Sequence, residues 1–186
     1  MMEVRVAGKL ANIAEAVNEV RHVHPSAPEP GEGPEHLSEE FRQFMLTLLQ
    51  RGESRHVFLW LLQVTLDLSA PEYWWHQAQP YFSDLAWVRR HPTTKGRRAL
   101  LTQEDFEGGI PQPVLETLNE RIIEEQRELL EASLPENFIR RAYVHTDYAE
   151  LRRLYIDRGH YDSGHWRDLA AFVQTLRYSD LITVTA

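Results

Sequence analysis

The sequence predicts an α+β fold: a single helix-rich domain with a small, mainly antiparallel sheet. Short runs that alternate apolar and polar residues have the period of strands, and longer segments that repeat apolar residues every three to four positions have the period of helices. The chain has 186 residues, of which 42% are hydrophobic and 26% charged. This length and composition suit one hydrophobic core, so we treat residues 1–186 as a single domain.

The first third of the chain predicts a short strand and two helices. Residues 3–6 have strand-like alternation, and a weak helical stripe follows from Leu10. Four prolines and two glycines in the next segment predict a mobile loop over residues 22–37. Ser38 is in the position of an N-cap for the second helix, and Gly52 can close that helix.

The middle of the chain predicts the principal strand and a helix that follows it. Residues 57–68 read as a strand, because the segment ends in clear alternation, although its wholly apolar first half also permits a helix. Residues 69–82 then predict a turn and a helix, with Pro71 near its start and Pro80 ending or kinking it.

The rest of the chain predicts an irregular segment and three helices. Residues 83–111 form an irregular basic loop in which Thr102 and Asp105 have the spacing of a short cap. A long helix follows Pro111 and Pro113, with an apolar stripe from Val114 to Leu129. Two further helices follow, one after an Asp147-x-x-Glu150 capping box and one with a stripe that begins at Trp166.

Composition excludes several classes of function. The chain has no cysteine, which excludes disulfides, thiolate metal sites and cysteine nucleophiles. Its net charge of −8 argues against broad binding to nucleic acid. No apolar run is long enough to cross a bilayer and the N-terminus does not resemble a secretory signal, so we predict no membrane partner and a cytoplasmic location.

An aromatic and amide cluster directly after the principal strand marks a candidate binding site. Tyr73-Trp74-Trp75-His76-Gln77 is followed by Tyr81 and then by Arg89 and Arg90. Such side chains suit a planar ligand rich in hydrogen-bond acceptors. The alternative places Trp74 and Trp75 in the core or in a subunit interface, with Gln77 solvated and His76 structural.

Two further clusters carry weaker indications. The basic residues between 89 and 98 form a solvated loop, a phosphate clamp or a nucleic-acid contact. His160, Asp162 and His165 have the chemistry of metal ligands, but they lack a nearby fourth ligand and helical i, i+4 spacing, so we predict no metal site. There is no phosphate-cradling glycine motif and no assignable Ser/His/Asp arrangement.

The order of these features resembles the flavin-dependent thymidylate synthases over roughly residues 38–182, most of the chain. The resemblance rests on Ala70-Pro71, the aromatic segment, Gln77, Leu134-Pro135 and a helix that ends in Arg158. The segment Ala70-Pro71-Glu72-Tyr73-Trp74-Trp75 is similar to a diverged phage branch of thymidylate-synthase-like proteins. The missing cysteine separately excludes the thymidylate synthases that use a cysteine nucleophile.

This resemblance implies a homotetramer that binds flavin adenine dinucleotide (FAD) and deoxyuridine monophosphate in clefts shared between protomers. In the family the flavin carries hydride and methylene-tetrahydrofolate supplies the carbon, so catalysis depends on positioning and polarisation. Gln77 and Arg158 match family positions and are the expected contacts to the pyrimidine nucleotide. The expected flavin contacts are His76, Gln77, Tyr81, Arg89 and Arg90.

The chain departs from the family at two motifs. An arginine-histidine-arginine motif, followed seven residues later by serine, reads here Pro80-Tyr81-Phe82 and then Arg90. The asparagine-x-arginine pair before the last nucleotide-binding helix reads Asp147-x-Ala149. Phe82 cannot replace the charge and paired donors of an arginine. The function is therefore that of a diverged nucleotide methylase or related base-modifying enzyme, of an inactive oligomeric homologue with a binding or regulatory role, or of a structural phage component.

Overall fold

The structure is a computed structural model that describes residues 2–33, 35–51, 56–82, 88–90, 100–160 and 164–184, with residues 88–90 as backbone alone. The predicted cap Gly52, the basic residues Lys95, Arg97 and Arg98, and Asp162 lie outside the described residues. The strands are β1 (Glu3–Val6), β2 (Gln63–Pro71), β3 (Val88–Arg90) and β4 (Ile139–Asp147). The helices are α1 (Ile13–Val23), α2 (Glu39–Gln50), α3 (Val57–Leu61), α4 (Glu72–Ala78), α5 (Gln112–Ile123), α6 (Arg127–Glu131), α7 (Tyr148–Arg158), α8 (Gly164–Val173) and α9 (Asp180–Thr183).

The sheet is small and antiparallel, as predicted. Its order is β1-β2-β4-β3, and its central pair runs in register from Gln63 opposite Asp147 to Pro71 opposite Ile139. Alternate β2 residues, among them Leu66 and Leu68, are fully buried against the helices. The period of two therefore places one face of the sheet on the main core.

The segment 57–68 was predicted wrongly in its first half. Residues Val57–Leu61 form α3, and β2 begins only at Gln63. An unbroken apolar run has no period of its own, so tertiary contacts decide its conformation. Here α3 packs against α1 and α7, which buries Phe58 and Leu59 and leaves Trp60 61% exposed.

The predicted long helix after Pro113 is two helices, α5 and α6. The chain turns between them at Glu125, whose φ of +60° is in the left-handed region. The residues between Ile123 and Leu129 are all polar, so continuing the helix there would bury no additional apolar surface.

Two predicted loops also contain regular structure. Helix α1 continues to Val23 and so includes the first two residues of the segment 22–37. Strand β3 and a 3₁₀ helix at Gln103–Asp105, which Thr102 caps, lie inside the segment 83–111. None of the helices in the described ranges is both long and apolar enough to cross a lipid bilayer.

Helices α2 and α7 begin at their predicted caps. Ser38 caps α2 by accepting a hydrogen bond from Phe41 N at 3.1 Å. Asp147 caps α7 by accepting one from Glu150 N at 2.9 Å. Such caps satisfy backbone donors that a first helical turn leaves unpaired, which is why short-range sequence predicts them well.

The two tryptophans of the aromatic segment belong to the core. Trp74 is 1% exposed and Trp75 is 3% exposed. The indole N–H of Trp75 donates to the carbonyls of Ala70 and Arg140, both at 3.1 Å. The core alternative is therefore correct for both side chains.

A second, smaller core is formed by Leu101, Phe106, Leu115, Leu118, Ile122, Leu130 and Phe138.

Candidate functional site

Three predicted site residues lie around the buried Trp166. Arg158 Nε donates a hydrogen bond to the Tyr81 hydroxyl at 3.0 Å, and Trp166 Nε1 donates one to Gln77 Oε1 at 3.2 Å. The guanidinium carbon of Arg158 is 5.4 Å from the centre of the Trp166 ring, a cation–π distance. We call Gln77, Tyr81, Arg153, Arg158 and Trp166 the arginine–aromatic cluster.

The ends of three helices bring this cluster together. Gln77 is in the last turn of α4, and Tyr81 closes the 3₁₀ helix that Pro80 imposes after it. Arg158 is the last residue of α7, and Trp166 is in the first turn of α8. Because the cluster spans chain segments far apart in sequence, its assembly depends on tertiary packing.

Arg153 adds a second guanidinium group to the cluster. Its Nη2 donates to the carbonyl of Pro80 at 2.6 Å, and its guanidinium carbon is 5.4 Å from the centre of the Tyr81 ring. The corresponding distance from Arg158 is 5.8 Å. The carbonyl and the phenol ring therefore orient two positively charged side chains at the C-terminal half of α7.

At positions 81 and 82, where the resemblance implies that the family motif has histidine and arginine, this chain has packed aromatic side chains. Tyr81 is 8% exposed and Phe82 is fully buried, and both belong to the main core. The ring of Tyr81 is 6.0 Å from that of Trp166 in an edge-on arrangement. The local charge of this site therefore comes from α7 rather than from the segment 80–82.

A cleft of about 700 Å³ lies between α3 and α7, beside the cluster. Trp60 and Ile156 line it and are 61% and 48% exposed, and Arg153 is common to the cleft and the cluster. The remaining lining residues are His56, Val57, Leu59, Ala149, Arg152 and Asp157. We call this feature the α3–α7 cleft; its volume is within the usual range for small-molecule sites.

The α3–α7 cleft has a net positive charge that suits a planar anion, because Arg152 and Arg153 outnumber the carboxylate of Asp157. Arg152 is half-buried and donates to the carbonyls of Ile182 and Val184, and burial lowers its pKa from the ordinary value. An arginine remains charged under these conditions, because its ordinary pKa is far above neutrality. An exposed indole beside two guanidinium groups can stack on an aromatic ring and pair with a phosphate.

The other predicted contacts have different surroundings. His76 is exposed and pairs with Glu136 at 3.2 Å and Glu72 at 3.7 Å. Arg89 and Arg90 are on β3, opposite Ala142 and Arg141 of β4, and their side chains lie outside the described residues. The cluster therefore includes Gln77, Tyr81 and Arg158 but not His76.

A partly buried hydrogen-bonded network adjoins the cluster. The Tyr73 hydroxyl donates to Glu107 Oε2 at 2.6 Å, and His165 Nε2 is 2.8 Å from both that hydroxyl and Glu107 Oε1. Burial, together with the hydrogen bond to Glu107, raises the pKa of Tyr73 to about 12. Tyr73 is one helical turn before Gln77, and His165 directly precedes Trp166. The network therefore links the two helices that contribute Gln77 and Trp166 to the cluster.

Metal binding receives no support from the part of the chain that the structure describes. No group of three or more histidine, aspartate or glutamate side chains there could hold a metal ion. His165 is engaged with Tyr73 and Glu107 instead.

Sequence reasoning missed Trp60, Arg152, Arg153 and the partnership of Tyr73 with His165. Trp60 was assigned to the apolar face of a strand, and only the helical conformation of α3 exposes it. Helical spacing gave no indication of Arg153, because residues five apart on a helix such as α7 are not neighbours on one face. Glu107 had no indication either, since it is contributed by a turn distant from both partners.

Comparison with solved structures places this geometry in a known fold. No family model matches the sequence, and no curated protein is similar to it in sequence. A crystal structure of thymidylate synthase X (ThyX) from Helicobacter pylori with FAD and dUMP aligns with a TM-score of 0.68 and 14% identity, covering 99% of this chain and 100% of that one. This protein has the fold of the flavin-dependent thymidylate synthases.

A second structure of the Helicobacter pylori ThyX, described as complexed with FAD and dUMP, gives the same result. Its TM-score is 0.67 at 13% identity, over 97% of this chain and 98% of the other. Identity at this level establishes the thymidylate synthase fold alone. The predicted fold class is confirmed, and the ligands of this chain are a matter for proposal.

Proposed function

We propose that this protein is a diverged flavin-dependent thymidylate synthase-like protein that binds a pyrimidine deoxynucleotide and FAD at the α3–α7 cleft. The observation that carries the proposal is Arg153, which joins this cleft to the cluster that contains Gln77 and Arg158. The similar ThyX structures hold FAD and dUMP. The reaction we propose is methylation of deoxyuridine monophosphate or a related base modification.

Each side chain has a role that its surroundings favour. The exposed indole of Trp60 would stack on a flavin or pyrimidine ring, and Arg153 would pair with a phosphate. The Oε1 of Gln77 already accepts from Trp166, so its amide N–H groups would donate to carbonyls of a uracil ring. A bound flavin would supply hydride chemistry, for which the protein provides orientation and charge.

We propose a homotetramer of the phage branch, again by resemblance. Apolar residues at the mouth of a binding cleft support an adjoining subunit, and Trp60 and Ile156 are such residues. Light scattering on the purified protein tests this: four times the chain mass of 21.8 kDa is expected, and a monomer at all concentrations would contradict it.

A second candidate is a homologue that binds ligands without catalysis. The observation that favours it is the burial of Tyr81 and Phe82 where the related motif has charged groups. Two guanidinium groups on α7 could hold a nucleotide phosphate while polarising the base too weakly for reaction. This candidate retains nucleotide binding and lacks product formation.

The test is a spectrum followed by thermal unfolding. The purified protein should absorb near about 450 nm if it retains flavin. FAD and deoxyuridine monophosphate should each raise the melting temperature, because a ligand that binds only the folded state stabilises it by mass action. Arg153→Ala should remove the nucleotide shift, whereas Arg127→Ala, at an exposed site on α6, should keep it.

The outcomes separate the two candidates. Ligand shifts together with conversion of deoxyuridine monophosphate in the presence of methylene-tetrahydrofolate support the enzyme. Ligand shifts without product support the binding homologue. A colourless protein that neither ligand stabilises would contradict both.

A further inference from the structure

A second cavity, of about 370 Å³, lies at the opposite end of β2 from α4 and shares no lining residue with the α3–α7 cleft. It opens between the turn after β1, which contains Gly8 and Lys9, and the segment after α8 that contains Arg177. We infer that this cavity binds a small organic anion, in which an apolar ring or chain adjoins a phosphate or carboxylate group.

The floor of the cavity is apolar and rigid. It is formed by Val64, Leu176 and Tyr148, which are 3%, 7% and 1% exposed, with half-buried Leu10 beside them. The Tyr148 hydroxyl of the floor donates a hydrogen bond to the backbone carbonyl of Arg177, which lies at the rim of the cavity. Such a surface favours an apolar group of matching size, since burying it removes apolar area from water.

Neutral groups hold Arg177 in place at the rim. Its guanidinium carbon is 4.8 Å from the centre of the Tyr178 ring, and its Nη2 is 3.0 Å from His36 Nδ1. His36 accepts this hydrogen bond, so the contact orients the arginine without neutralising its charge. A fixed guanidinium beside an apolar floor is well suited to a phosphate or carboxylate.

Surrounding contacts hold Tyr178, the ring beside Arg177, in a strained backbone conformation. Tyr178 has a φ of +57°, a region that non-glycine residues rarely occupy. Its hydroxyl accepts a hydrogen bond from Leu37 N at 2.9 Å, which anchors it to the segment before α2. Strained residues persist where surrounding contacts over-determine them, and they are concentrated at ligand-binding sites.

Lys9 supplies a second positive charge at the rim. Its Nζ is 3.8 Å from Glu35 Oε2, and the two side chains are 87% and 70% exposed. A pair so long and so exposed is weak, because water screens it. Glu35 also lines the cavity, so its carboxylate must move away when Lys9 exchanges it for an anionic ligand.

The test is isothermal titration of the full chain with phenyl phosphate, benzoate and inorganic phosphate. Phenyl phosphate or benzoate should bind at least about tenfold more tightly than inorganic phosphate, because only the first two fill the apolar floor. Whichever of the two binds more tightly identifies the anionic group. Arg177→Gln should weaken that binding about tenfold or more, as expected for loss of a charge-assisted hydrogen bond.

Further variants locate the binding. Lys9→Gln, at an exposed site that folding does not require, should weaken it less than Arg177→Gln, and Leu10→Trp should block it by filling the cavity. Arg127→Gln, at an exposed site on α6 that lines neither cavity, should leave it unchanged, and Arg153→Gln tests the α3–α7 cleft as the alternative site. Two results would overturn the inference. The first is that neither aromatic anion binds. The second is that Arg153→Gln loses affinity while Arg177→Gln and Lys9→Gln bind as the unaltered protein does.

Discussion

The hydrogen bond from Arg158 to Tyr81 makes a prediction that the structure allows to be worked through. Tyr81→Phe removes the hydroxyl 3.0 Å from Arg158 Nε and keeps the ring that packs against Trp166. A hydrogen bond to a charged group contributes about 1.5–3 kcal/mol. Because Arg158 is partly exposed to water, we expect the lower half of this range, about 1.5–2 kcal/mol. At about 2–4 °C per kcal/mol for a chain of this size, the melting temperature should fall by about 3–8 °C.

Urea unfolding of matched variants measures this loss. The control is Tyr155→Phe on α7, the helix that contains Arg158. The Tyr155 hydroxyl accepts a hydrogen bond from Gln174 at an exposed site, so its removal should change the free energy of unfolding by less than about 0.5 kcal/mol. In an Arg158→Ala background, Tyr81→Phe should cost less than it does alone, since the two groups are coupled. Equal losses in the Tyr81 and Tyr155 variants would refute the reasoning.

Three further expectations concern the core, pH dependence and a cap. Trp166→Ala should reduce the free energy of unfolding by about 3–5 kcal/mol, because the ring is 1% exposed and the site cannot collapse fully. Calorimetry or urea unfolding measures this loss, and a loss below about 1 kcal/mol would contradict the observed packing. Folding raises the pKa of Tyr73 from 10.0 to about 12. Between these two pH values, Tyr73 keeps its proton in the folded protein and loses it in the unfolded chain. Stability should therefore fall as pH rises from 10.0 towards about 12, and less steeply in Tyr73→Phe, as unfolding experiments across this interval would show. Ser38→Ala should cost about 1 kcal/mol through loss of the bond from Phe41 N, detectable by denaturant unfolding, whereas no change would mean that the cap is dispensable.

Local chemistry explains what was predictable in the fold. Ser38 and Asp147 cap their helices through side chains within three residues of the backbone groups they satisfy. The helix that ends at Arg158 was placed correctly for the same reason. The first half of the segment 57–68 was not, because five consecutive apolar residues suit a buried strand and a buried helix equally well.

The candidate site divides in the same way. Gln77 and Tyr81 were named from the aromatic and amide segment and Arg158 from the family resemblance, and the structure brings them together around Trp166. The cleft beside them was not foreseen, since the exposure of Trp60 depends on α3 being a helix.

By itself, the sequence determined the class of fold, the principal caps and the absence of cysteine chemistry. These properties depend on residue type and on spacing within a few positions. Only the tertiary structure decided that Tyr81 and Phe82 are packed into the core while Arg153 and Arg158 supply positive charge from α7. The physical reason is that burial and charge pairing depend on contacts between segments far apart in sequence, for which local periodicity contains no information.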